Sequence, residues 1–391
     1  MNGSAYTDAV GFDRPTSTSQ REAVLSSFDA KLIFKFAGFT VLIGWLPLLM
    51  LAATQASVPD HAATRAFLSD VGVACRSLIA APLLVLAELV CLPRLNAIAR
   101  HFPVSGLIAS GDLVRFDQAQ ASTYRLSRSI LAYIVIAAIS FGLAFVVARS
   151  VPMDRLPAWQ TDSLGRLGPL SLAGWWNILV SVPFLLALIL IWLWRVCLWA
   201  RFLFLVSRLD LQLVAAHPDR AAGLRFVGYS VQSYGVAALA FGFIVAGQAA
   251  NRIIYRGAEL LSFKDIVIGL VALVIVLFVG PIAVFTTHLM RAWLRGTVQY
   301  GAIATRLGRE FEAKWFRGPS TIDDSALQVQ DFSATTDLYQ IVGNVYEVRL
   351  LPVGLVSIGI LVGMTIAPFP AIALMFVPIG DIIDRAISLL L

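Results

Sequence analysis

Residues 187–230 read ALILIWLWRVCLWARFLFLVSRLDLQLVAAHPDRAAGLRFVGYS, and this stretch decides what kind of chain this is. An unbroken apolar run passes Trp192, Trp194 and Trp199, meets Arg195, Arg201 and Arg208, and turns at His217-Pro218-Asp219-Arg220 towards another apolar run. Aromatic rings and arginines gather where hydrocarbon meets water, because an amphipathic ring or a snorkelling guanidinium is most stable there. The stretch reads as a membrane helix leaving the bilayer on its positive side and a chain turning to re-enter.

Composition agrees. The 391 residues are 58% hydrophobic and 14% charged, with a mean hydropathy of +0.80; a soluble globular chain carries roughly 25% charged residues. The formal charge of +6 is spread over the ends of apolar runs and not gathered in one patch. It therefore reports topology, and no nucleic-acid partner is implied. Cys75 and Cys91 stand 16 positions apart on one expected helix, about 24 Å of rise, too far to bridge.

Working outward, residues 1–30 are polar, hold a Ser/Thr run at Thr16 to Ser19, and read as a disordered cytoplasmic tail. Apolar runs follow at about 32–53, 71–93, 129–147, 172–194, 228–250, 266–289 and 351–367. Six have the roughly 17–25 residues needed to cross a bilayer and the seventh sits at the lower edge. The first is read as an uncleaved span, since its leader is longer than that of a signal peptide. The expectation is an all-α polytopic membrane protein of about seven transmembrane helices. Its membrane domain covers 31–290, and residues 291–350 form a cytoplasmic helical segment. Residues 351–391 hold a last span, broken at Pro368 and Pro370, and a C-terminal helix that either re-enters or lies flat on the bilayer.

The segments after the second, fourth and sixth runs are richer in arginine and lysine than those between. By the positive-inside tendency they face the cytoplasm, as does the N-terminus. Those same runs carry Pro82, Pro183 and Pro281, which are 101 and 98 positions apart, and Arg94, Arg195 and Arg291, which are 101 and 96 apart. A threefold repeat of a helical hairpin explains the spacing; so does the ordinary use of proline and arginine in membrane helices.

Ionisable residues inside the apolar runs are the strongest pointers to a site. A charge near the bilayer centre costs at least ~2.5 kcal/mol, so it is buried against a partner or a wet cavity. Arg76 and Glu88 qualify, yet lie about 18 Å apart along one helix. Each needs a partner elsewhere: Arg76 reads as a pathway residue or an interfacial arginine, Glu88 as a pathway residue or half of a structural pair. Asn177 and Gln248 read as interhelical glue. In the HPDR turn, Pro218 fixes the backbone and Asp219 can accept amides at a helix start. The alternative is that His217, Asp219 and Arg220 gate a path or sense pH. Together with Arg195 these are the pathway and gating candidates.

Nothing calls for an enzyme. His61, His101, His217 and His288 show no metal-ligand spacing, and no nucleophile elbow, phosphate loop or catalytic carboxylate pair is present. No cofactor and no metal are expected.

The segments RHFPVSGLIASGDLVRF, WLWRVCLW, LVAAHPDRAAGL, GQAANRIIYRGAEL and DLYQIVGNVYEVRLLPV resemble the landmarks of a bacterial family of uncharacterised multi-pass membrane proteins. The likeness runs from about residue 30 onward, and HPDR-AAGL is its most specific part; where this chain has Ala222-Gly223 that family often has Gly-Gly. The resemblance implies a bacterial inner membrane and an all-helical fold, and brings no activity or substrate. Two functions follow from the residues: a channel or transporter for an ion or small solute, or a membrane-anchored signalling or scaffold protein that binds a cytoplasmic partner through 291–350. A homo-oligomer is compatible with either.

Overall fold

The structure, a computed structural model, describes residues 24, 29–55, 62–152, 156–161, 169–316 and 331–373. The expected N-terminal tail, His61 and the C-terminal helix beyond 373 lie outside the described residues. Among the described residues the fold is all-α, and β pairing is confined to isolated bridges, Ile108 with Leu211 and Thr161 with Leu170. Six helical stretches among the described residues are long and apolar enough to cross a membrane: Ala30–Thr54, Val71–Val104, Ile130–Ser150, Leu172–Val206, Arg225–Tyr255 and Lys264–Trp315. A shorter apolar helix, Leu355–Ala371, is the seventh. The chain is a polytopic membrane protein, since hydrocarbon offers no partner to a backbone amide and only helices or closed barrels cross it.

The spans divide into central and peripheral ones. In the fifth, 61% of the apolar window is buried, against 11% in the third. The third span turns Ile130, Leu131, Ile134, Phe141 and Phe145 outward, a surface suited to acyl chains. The fifth buries small side chains, Ala237, Ala238, Ala240, Ala246 and Ala250, which let neighbouring backbones come close. Two glycines of this span mark close approaches to its neighbours. A Cβ on Gly242 would collide with the Thr365 carbonyl oxygen of the seventh helix, and one on Gly247 would stand 2.6 Å from Cys75 Cβ of the second span.

The second and fourth helices are longer than their hydropathy indicates. Expected to stop near Pro93 and Trp194, they run on to Val104 and Val206. The cause is packing beyond the apolar run: Leu95, Ala99 and Phe102 bury themselves with Trp199, Phe202, Leu203 and Val206 in one cluster. Phe102 is its hub, with ring centroids 4.9 Å from Phe226, 6.3 Å from Phe202 and from Phe285, and 6.4 Å from Phe116. Burial of such rings outweighs the one backbone hydrogen bond that Pro93 forfeits inside the helix. The sixth span continues through a 3₁₀ turn into Thr286–Trp315, as its spacing indicates, and Asp331–Tyr346 packs beside that extension. At the seventh helix a turn at Ala367 separates Leu355–Ile366 from Pro368–Ala373.

The prolines sit where the helices are already irregular. The second span opens a π-helical turn at Cys75–Ala80 just before Pro82, and the fourth at Asn177–Ser181 just before Pro183. Each span begins with a side-chain cap, Asp70 accepting from the Val73 amide and Ser171 from the Gly174 amide. Cap, π turn, proline and arginine thus recur at an offset of 101 positions. The sixth span departs from the pattern: a 3₁₀ turn, Gly280–Phe285, encloses Pro281.

Replacing Gly242 with Leu should force the fifth span away from the seventh helix and destabilise the fold by about 1–3 kcal/mol. Thermal unfolding in detergent micelles should show a lowered midpoint; an unchanged one would mean that this approach is not tight.

Candidate functional site

The charged groups inside the spans are tied at two levels. At the arginine-poor ends of the second and fourth spans, the Arg76 guanidinium donates to Asn177 Oδ1 at 2.7 Å, between positions 101 apart in sequence. Both residues stand in the π turns, where an extra residue per turn swings a side chain towards the neighbouring helix. The first span is broken at the same level. Its helices Ala30–Gly44 and Leu46–Thr54 meet at Trp45, and the freed Ile43 and Gly44 carbonyls accept from Trp176 Nε1 at 3.2 Å and Ser181 Oγ at 3.2 Å.

Six positions before Arg76 lies a carboxylate that sequence reading passed over because it falls just outside the apolar run. Asp70 is 3% exposed. Its Oδ1 accepts from the Val73 amide at 2.9 Å and Asn251 Nδ2 at 2.7 Å, and its Oδ2 from Trp159 Nε1 at 3.1 Å. Asn251 returns the contact by accepting from the Gly72 amide at 3.1 Å. Asp70 therefore joins the second span, the fifth span and the loop before the fourth. The signal that could have found it is its place as an N-cap residue directly ahead of an apolar helix.

The second level is the Glu88–Arg195 ion pair. Arg195 Nη2 donates to Glu88 Oε1 at 2.7 Å, with the side chains 7% and 12% exposed. Arg195 also lies 5.3 Å over the Trp192 ring, whose Nε1 donates to the Leu84 carbonyl at 2.7 Å. Trp192 meets Tyr234 edge-on at 6.4 Å, and Tyr234 stacks on Phe278 at 4.5 Å. These rings come from the fourth, fifth and sixth spans, so the pair sits where several spans converge. It is incompletely satisfied: Glu88 Oε2, Arg195 Nη1 and Tyr234 Oη are buried without a hydrogen-bond partner among the described residues. Each such atom costs about 1–3 kcal/mol unless water or a solute meets it.

The HPDR turn lies beyond the end of the fourth helix and has its own internal logic. Asp219 Oδ1 accepts from the Ala221 and Gly223 amides at 2.8 and 3.1 Å, and Oδ2 from the Arg225 amide at 3.1 Å. His217 Nδ1 lies 2.8 Å from Asp219 Oδ1. Burial alone would raise the Asp219 pKa; the three amides, and then His217, overcome that and hold it below the ordinary carboxylate range. The amides converge because Arg220, Ala222 and Gly223 adopt positive φ angles of 56°, 53° and 95°. Arg220 turns away to pair with Glu347 at 2.8 Å, and its carbonyl accepts from the Arg349 amide at 2.8 Å. These hydrogen bonds organise the loop from within and dock it on the segment that leads into the seventh helix.

The six candidates therefore fall into three places: Arg76 with Asn177, Glu88 with Arg195, and the His217, Asp219 and Arg220 turn. Comparison with known proteins finds no matching family model, no matching curated protein and no matching solved structure.

Removing one partner of the buried pair, by Glu88→Leu or Arg195→Leu, should cost about 3–5 kcal/mol, whereas Glu88→Leu with Arg195→Met should regain most of it. A double-mutant cycle of unfolding in detergent measures the difference. For Asp219 the folded pKa is depressed, so its contribution to stability is present above about pH 4. That contribution is lost as pH falls through the folded value. Asp219→Asn should be less stable than wild type at neutral pH and converge with it in acid.

Proposed function

We propose that this chain is a membrane transport protein, a channel or carrier for an ion or small solute, in which the Glu88–Arg195 pair stands on the path. The supporting observation is the set of unpaired polar atoms around that pair, Glu88 Oε2, Arg195 Nη1 and Tyr234 Oη, buried where several spans meet. A purely structural pair would gain by closing its remaining hydrogen bonds within the protein. A pair that serves a moving ion, proton or polar solute keeps a carboxylate oxygen and a guanidinium nitrogen open to it. The π turns and the broken first span fit the same reading, since irregular backbone at membrane depth is found where helices pack around a path. By the positive-inside tendency the arginine-rich side, which carries the HPDR turn and the helix Thr286–Trp315, faces the cytoplasm of a bacterial inner membrane.

A second reading rests on a different observation. Along Thr286–Trp315, Leu294, Val298 and Ile303 remain 51%, 74% and 53% exposed. An apolar face on a helix beyond the membrane suits a cytoplasmic protein partner, as a signalling or scaffold role requires.

Proteoliposomes separate the two. Under a voltage or osmotic gradient the wild-type chain should pass protons, a monovalent ion or a small polar solute, and Glu88→Gln should lower that flux at least about tenfold, the effect of losing one charge-assisted contact. Vesicles that stay tight to every solute tested, with Glu88→Gln cells indistinguishable from wild type, would remove transport and leave the scaffold.

A further inference from the structure

The arginine-rich ends of the fourth and sixth spans leave a cleft of about 440 Å³ between them, on which Phe204, Arg208, Val284, Thr287, His288 and Arg291 all border. From this cleft we infer a second site, separate from the Glu88–Arg195 pair: a binding site for a phosphate-bearing anion at the membrane surface.

The placement follows from the sequence. Arg291 lies two positions past the sixth apolar run, which ends near Leu289, and Arg208, two positions past the end of the fourth helix at Val206, borders the same cleft. That is headgroup level. The charge is one-sided, because among the described residues no Asp or Glu borders the cleft. Four arginines elsewhere have carboxylate partners: Arg115 with Asp112, Arg195 with Glu88, Arg220 with Glu347 and Arg306 with Glu310. Among the described residues no carboxylate pairs with Arg208 or Arg291. Two guanidinium groups facing one cleft repel each other until an anion enters, and a planar fork of N–H donors matches phosphate oxygens.

Orientation is built in as well. The Arg208 guanidinium lies 4.9 Å over the Phe204 ring, which restricts where its donors point. Thr287 Oγ1 and His288 Nδ1, 3.4 Å apart, place two further polar groups on the opposite helix. Ser207 is not counted, because its hydroxyl donates to the Phe204 carbonyl at 2.8 Å. Phe204 and Val284 give the cleft an apolar flank beside its basic one. A phosphodiester carrying acyl chains uses both flanks, and free phosphate uses only the basic one.

The test uses the delipidated full-length chain in detergent, titrated with phosphatidylglycerol, phosphatidylcholine or inorganic phosphate, and read by native mass spectrometry and thermal shift. Wild type should bind phosphatidylglycerol over phosphatidylcholine. Arg208→Gln and Arg291→Gln should each weaken binding roughly tenfold, the loss of one charge-assisted contact. The double variant should abolish the preference, and Arg208→Lys should retain part of it. Competition by millimolar inorganic phosphate would assign the site to the phosphate group alone, and binding of phosphatidylglycerol without competition would assign it to a lipid headgroup. Arg115→Gln with Arg306→Gln serves as a control of equal charge loss, and melting without added anion shows that each variant is folded. The proposal fails if the Arg208→Gln, Arg291→Gln double variant binds both anions as wild type does, or if the control pair weakens binding equally. It also fails if wild type binds neither phosphatidylglycerol nor phosphate.

Discussion

Inside hydrocarbon there is no solvent to take up a hydrogen bond that the protein leaves open, and this single condition shapes every polar contact between the spans. Arg76 reaches Asn177, Glu88 reaches Arg195, and Asp70 gathers Val73, Trp159 and Asn251. Apart from the local Asp70–Val73 cap, each tie joins elements far apart in sequence. Apolar packing alone is weakly directional in a bilayer, because lipid tails are as apolar as leucine. The register of the second span against the fourth and fifth is therefore set by a few polar contacts, with the close approaches at Gly242 and Gly247 holding the fifth span in the centre.

The second and fourth spans look like two copies of one device. Cap, π turn, proline and arginine recur at the same offset, and the pairs Arg76–Asn177 and Arg94–Arg195 occupy matching positions. Matching positions have nevertheless taken different roles. Arg195 is buried against Glu88 while Arg94 is exposed, and Arg76 donates to its counterpart where Asn177 accepts. The connections that follow the two spans also meet, with the Gln212 amide donating to the Leu107 carbonyl at 2.8 Å and the Asp210 amide to Asp112 Oδ2 at 2.8 Å. That amide, then Arg115, draws the Asp112 pKa below its ordinary value. The sixth span sets its proline and arginine 10 positions apart instead of 12 and encloses the proline in a 3₁₀ turn, so the likeness is closest between two spans.

The same helices serve two solvents. Above, they face lipid; below, they continue into an aromatic cluster around Phe102 that packs like the core of a water-soluble domain. The change is gradual along one helix because an α-helix satisfies its own backbone in either medium, and only the side chains need to change character. The HPDR turn closes the lower part. Positive φ at Arg220, Ala222 and Gly223 aims three amides at Asp219, and Arg220 ties the turn to the segment entering the seventh helix.

What the sequence determined by itself was everything that depends on composition along a helix: the apolar runs, their number, the all-α class and the arginine-rich side. Those features are local, since an apolar run of sufficient length must become a helix whatever it packs against. Asp219 as an amide acceptor was legible too, because its partners lie within a few residues. Which charge meets which was decided only by tertiary structure. Glu88 demanded a partner, but nothing in LLVLAELVCL distinguishes Arg195 from Arg94 or Arg201. Asp70 stayed hidden because its burial comes from Trp159 and Asn251, 89 and 181 positions away. The lengths of the second and fourth helices were settled the same way, by rings that meet across the fold and whose burial no hydropathy run records.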